Sequence, residues 1–118
     1  MTSSGDLSRD YLLERFAEFL TLEHGSSPRT DDSYGRDLRR LAEWGTAHGA
    51  PDPASLTAAN LREFVYYLKD LGLAPASIRR GLSAIRTWYK FLLAEGVVKV
   101  DPSERLETPR KWRTLPEV

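Results

Sequence analysis

The sequence has no cysteine, which excludes a disulfide framework, a thiolate zinc site and a cysteine nucleophile. It has no net charge either, with seventeen basic residues against seventeen acidic ones. Binding of a polyanion by bulk charge alone is thereby excluded, although a local patch is not. No apolar run is long enough to span a bilayer. The start, MTSSGDLSRDYLLERF, lacks the basic-then-apolar order of a secretory signal, so a cytoplasmic protein without membrane contact is expected. There is no glycine-rich phosphate loop, no H-E-x-x-H pair and no G-x-S-x-G elbow. His24 and His48 lack ligand spacing and each precedes a glycine, as a helix C-terminus favours, so no metal or other cofactor is expected. No segment reads as a firm strand; Val97 to Val100 is β-prone but short. Internal repeats and low-complexity tracts are absent.

What is present fits one all-α domain in 118 residues. Four main helices are predicted, with a short fifth near Ser103 to Glu107 and then a linker. The first opens near Ser8 and stops at Gly25, with Leu13, Phe16, Ala17 and Leu20 as its inner stripe. The second has Ser27 as N-cap and Pro28 at N1, an inner stripe of Tyr34, Leu38 and Leu41, and a stop at Gly49. Two prolines then force a loop. The third starts at Thr57, where Asn60 is placed to close a capping box; Leu61, Phe64, Val65 and Leu68 face inward and Gly72 ends it. The fourth runs from near Pro75 or Ser77 to Gly96. The short connections imply a compact bundle over residues 1–108, with a linker over 109–118.

Charge is uneven along the chain. Residues 1–70 hold eight basic and twelve acidic residues, a net of −4; residues 71–118 hold nine and five, a net of +4. The fourth helix concentrates this asymmetry. At about 100° per residue, Ile78, Leu82, Ile85, Trp88, Tyr89 and Leu92 share one broad side. Arg79, Ser83, Arg86 and Lys90 fall within roughly 60° on the other side, flanked by Arg80 and Thr87. The strip carries no acid of its own. A solvated helix ordinarily mixes both signs, whereas guanidinium, ammonium and hydroxyl groups on one front suit phosphate and the edges of bases in a major groove. The start of the second helix is a weaker candidate. Ser27, Arg29, Thr30 and Ser33 surround a helix N-terminus, with Arg36 on the same side, but plain N-capping explains the serine, and Asp31 and Asp32 oppose a phosphate backbone. Arg40 has Asp37 and Glu43 within helical reach. Trp112 stands apart in a basic stretch, Arg110 to Arg113.

Three segments in order resemble a known family. Ser27-Pro28-Arg29-Thr30 with Tyr34 and Asp37-Leu38 is similar to the S-x-x-T-x-x-x-Y-x-x-D-L signature of the amino-terminal domains of Xer and phage integrases. Ser77 to Arg86, followed by Tyr89-Lys90-Phe91-Leu92 and Glu95-Gly96, resembles their S-I-x-R-x-L-S-A-L-R-x-F-Y-x-F-L-x-x-E-G run. Asp101-Pro102 with Leu106, Pro109-Arg110 and Leu115-Pro116 looks like the connector to the catalytic domain, and Thr57 to Leu61 matches L-T-x-x-D-L except for Asn60.

The resemblance implies a SAM-like helical bundle, the core-binding domain of a Xer-type tyrosine recombinase, that clamps a recombination half-site in DNA integration or chromosome dimer resolution. It implies that the second and fourth helices face DNA, with contact roles for Arg29, Thr30, Ser33, Arg36, Ser77, Arg79, Arg80, Ser83, Arg86, Thr87 and Lys90. It also implies that strand cleavage and rejoining belong to a separate catalytic domain, so that none of the five tyrosines here is the nucleophile. Expected partners are double-stranded DNA, that catalytic domain and other recombinase subunits in a DNA-bound tetramer on a bacterial nucleoid. Two other readings are a helical protein-interaction domain, which salt would leave bound where it releases DNA, and a stand-alone regulator that occupies sites without cutting.

Overall fold

A computed structural model describes residues 11–25 and 27–109. The first helix, expected from near Ser8, begins only at Leu13, because Tyr11 and Leu12 form a turn in which Leu12 takes the left-handed conformation, φ 55°, that interrupts a helix. Ser8 itself and the stretch around Trp112 lie outside the described residues. Within them there are four main helices and no strand. We label them α1 (Leu13–Phe19, continued by a wider π turn over Leu20–His24), α2 (Pro28–Ala47), α3 (Ala58–Asp70) and α4 (Pro75–Ala94). A 3₁₀ turn, Pro53–Ser55, occupies the proline-rich loop, capped by the Asp52 carboxylate. The short helix expected over Ser103 to Glu107 is only a turn: Asp101 Oδ1 accepts from the Ser103 N–H at 2.8 Å, which bends the chain before a helical ladder can start.

The predicted boundaries rest on visible local chemistry. Ser27 Oγ accepts from the Thr30 N–H at 3.2 Å with Pro28 behind it. Thr57 and Asn60 exchange two bonds of 3.0 Å each, a complete capping box in which an amide does the work of the usual acid. Gly25 and Gly72 take the left-handed conformations, φ 71° and 86°, that stop α1 and α3.

All four helices share one core. Leu13, Phe16 and Leu20 of α1, Leu38 and Leu41 of α2, Leu61, Phe64, Val65 and Leu68 of α3, and the whole predicted inner side of α4 are buried. Two residues of the expected stripes differ: Ala17 of α1 is exposed, and Tyr34 of α2 is half-buried, packed against the edge of the core. Trp88 is fully buried, stacked on Tyr11 with ring centroids 5.7 Å apart, and its indole N–H donates to the Tyr11 carbonyl at 3.2 Å. The Tyr11 hydroxyl in turn donates to the Ala50 carbonyl at 2.5 Å. A side chain cannot be added at Gly45 without disturbing this: a Cβ there would lie 2.5 Å from that hydroxyl.

The Tyr89 hydroxyl donates to the Pro53 carbonyl at 2.8 Å. Burial, followed by the nearby Tyr11, Asp101 and Asp52, pushes this phenol well above the ordinary tyrosine range. A group whose folded-state pKa lies above its unfolded value stabilises the fold fully below the unfolded value and progressively less above it. Stability is therefore expected to fall from about pH 10 upward, by as much as ~1.4 kcal/mol per pH unit. Denaturant midpoints at pH 9 and pH 11 check this. Tyr89→Phe should shallow the decline, and an equally steep decline in that variant would show that another group causes it.

Candidate nucleic-acid interface

Hydrophobic anchoring of one side of α4 leaves the other side outward. Arg79 and Lys90 are exposed, and Ser77, Ser83, Arg86 and Thr87 are half-buried along the same helix. The front is not uniformly open, however. The chain after α4 folds back, and an open groove of about 730 Å³ separates the two, with Arg79, Ser83 and Arg86 on one wall and Glu104, Arg105 and Glu107 on the other. The absence of acids holds for the helix but not for the surface it helps to build. Reasoning from one helix could not see this, because those carboxylates come from a segment more than ten residues downstream.

Among the expected contact residues of α4, Arg80 and Arg86 reach other parts of the bundle. Arg80 grips Asp37 of α2 with two bonds, Nε to Oδ2 and Nη2 to Oδ1, both 2.9 Å. Asp37 is 6% exposed and Arg80 41% exposed, so the pair lies at the edge of the α2–α4 contact. The bond to Asp37, followed by its charge, raises the Arg80 pKa further. Asp37 is thus committed across the bundle, not along α2 to Arg40. Arg86 donates from Nη1 to the carbonyl of Leu106, in the segment that folds back.

The α2 residues are placed differently. Arg29 and Arg36 are exposed, and Thr30 and Ser33 half-buried. Ser27 and Thr30 use their hydroxyls on each other at 3.0 Å, in addition to the N-cap bond. Arg36 shares a shallow groove with Glu14, Asp31 and Asp32, so acids surround the cations on this side. Asp31 also accepts from the Thr21 hydroxyl at 3.0 Å, which ties α2 to the end of α1. Since α2 packs against α4, the two candidate surfaces belong to one rigid unit.

The other residues that could carry chemistry do structural work. His48 Nδ1 lies 2.7 Å from the Trp44 carbonyl at the end of α2, and its ring stacks on Trp44 at 4.3 Å. Among the described residues, no group of three or more His, Asp or Glu side chains is placed to hold a metal ion. Among them, too, no helix is long and apolar enough to cross a membrane.

Comparison with known proteins agrees with the helical architecture and with the order of the segments. A family model described as "Phage integrase, N-terminal SAM-like domain" matches residues 13–96. A tyrosine recombinase XerC of Xanthomonas campestris pv. campestris (strain B100) is 41% identical over 106 residues, 90% of this chain and 33% of that protein. Proteins named tyrosine recombinase XerD are 36% identical over 110 residues in Oceanobacillus iheyensis and 39% identical over 106 residues in Chlorobaculum tepidum. The chain spans about a third of the length of these relatives. No solved structure matches it. With the match running from the first turn of α1 to the glycine that follows α4, the chain belongs to the phage-integrase N-terminal SAM-like domain family.

Proposed function

We propose that this chain is the DNA-binding part of a Xer-type tyrosine recombinase and that it holds a recombination half-site through the front of α4, with α2 alongside. The observation that carries this reading is the division of α4 into a fully buried apolar back and an outward front bearing Arg79, Ser83, Thr87 and Lys90. A helix anchored that firmly presents its cations as a fixed array, and a fixed array can match the spacing of backbone phosphates. On α2, Arg29 and Arg36 with Thr30 and Ser33 form a secondary surface whose neighbouring acids limit its contribution. Arg80 and Arg86 have protein partners and support this surface from within it.

In this reading the fragment binds and does not cut. Cleavage and rejoining by the whole recombinase require a catalytic domain in addition to these helices, and the DNA-bound assembly comprises several recombinase subunits. The whole protein works in the cytoplasm on the nucleoid.

Titration of a labelled duplex with Arg79→Ala/Lys90→Ala at two salt concentrations tests the proposal. Each phosphate contact contributes about 0.9 to the slope of log affinity against log salt. The double variant should bind about ten- to hundredfold more weakly at low salt, with its slope reduced by up to ~1.8. An unchanged slope and affinity in the folded double variant would remove α4 from the interface.

A further inference from the structure

Arg86 stands in the middle of the α4 front, yet the structure gives it a different task from its neighbours. Its Nη1 donates to the Leu106 carbonyl, and the segment that supplies that carbonyl is packed down, not trailing: Ser103, Leu106 and Thr108 are all less than 9% exposed. The Leu106 N–H donates to the Ser103 carbonyl at 3.0 Å, and Asp101 fixes the preceding turn. We propose that Arg86 is a positioning residue. It clasps the segment 101–109 against α4, so that the DNA-facing helix sets the direction in which the chain leaves the bundle.

The chemistry favours this over a direct phosphate contact. A guanidinium that donates to a backbone carbonyl beside a buried leucine has its stem immobilised along the helix, and a bond from a charged donor is among the stronger ones available. Holding the segment down also brings Glu104 and Glu107 to the groove that Arg79 lines. Releasing it would carry those carboxylates away from the front. The clasp and a phosphate contact therefore predict opposite consequences for DNA affinity when Arg86 is removed.

The test uses the 118-residue chain with Arg86→Met, which keeps the apolar stem and removes the donor. Tryptic cleavage after Arg105 reports release of the segment and needs no DNA. It should become at least about tenfold faster, as expected for loss of a charge-assisted bond. Arg86→Lys, which retains a charged donor, should restore slow cleavage. Duplex affinity of the Met variant should equal or exceed that of the unsubstituted chain, with the same salt slope; only this second readout rests on the proposed DNA-binding role of α4. Unchanged cleavage in Arg86→Met, a Lys variant cleaved as fast as the Met variant, or a slope lowered by about 0.9 would each overturn the assignment. If Arg86→Met does not fold, amide exchange in the unsubstituted chain decides: protection at Leu106 like that of α4 supports the clasp, and exchange at the rate of an unstructured peptide overturns it. Failure of the Arg79/Lys90 titration would instead overturn the DNA-binding role and leave the cleavage result standing.

Discussion

Trp88→Ala is expected to cost about 3–5 kcal/mol, the usual range for truncating a large buried aromatic. A domain of this size has about 5–15 kcal/mol in all, so the variant loses a large share of its stability and should unfold at a markedly lower temperature and denaturant concentration. The side chain stacks on Tyr11, meets the edge of Tyr89 at a centroid distance of 4.9 Å and donates its N–H to the chain just before α1. Its removal opens a cavity at the point where α4 is joined to that segment and leaves the Tyr11 ring, held by its own bond to Ala50, without its stacking partner. If α4 carries the proposed DNA-binding surface, duplex binding by the variant should be lost in proportion to its unfolded fraction and recovered on refolding. The front of α4 predicts the reverse pattern. Arg79→Ala/Lys90→Ala removes exposed side chains, whose ion pairs or hydrogen bonds to solvent-exposed partners contribute at most about 1 kcal/mol each, so it should cost far less stability than Trp88→Ala. Paired denaturation and titration of the two variants check the division. Comparable loss of stability in both would mean that the front of α4 is part of the packing.

That division was legible in the sequence because a helix buried on one side must repeat its apolar residues at helical spacing, and Ile78, Leu82, Ile85, Trp88, Tyr89 and Leu92 do so without interruption. Helix starts were legible for a similar reason. Ser27 before Pro28, and Thr57 three residues before Asn60, are local devices whose partners lie within one turn. Residues whose partners lie far along the chain were not legible. Asp37 has basic neighbours at helical distance on α2, and only tertiary packing selects Arg80, forty-three residues away. Arg86 read as one more cation of the strip, because nothing in the period of α4 announces that the chain returns to offer it a carbonyl. The fold and the back of α4 were thus written in local patterns. The division of labour among its cations depends on where α2 and residues 101–109 come to rest.

Arg80 gives that division its sharpest test, because the two members of its ion pair are unequally buried. Truncating Arg80 leaves the carboxylate of Asp37, 6% exposed, in the α2–α4 contact without its two donors. Breaking a buried pair from this side is expected to cost about 3 kcal/mol, the low end of the usual range because Arg80 itself is partly solvated. Asp37→Asn leaves instead a guanidinium that is 41% exposed and can turn to water, and should cost only about 1 kcal/mol. The double variant Arg80→Ala/Asp37→Asn should recover most of the loss seen in Arg80→Ala, because it removes the uncompensated charge rather than a favourable contact. Denaturant midpoints of the three proteins measure this; equal losses in the two single variants would show that the pair acts as an ordinary surface salt bridge. The same proteins also separate support from contact. If Arg80 serves Asp37, Arg80→Ala studied below its unfolding transition keeps the salt slope of the unsubstituted chain even where its affinity falls. A slope lower by about 0.9 would show that Arg80 releases Asp37 and reaches a phosphate when DNA binds.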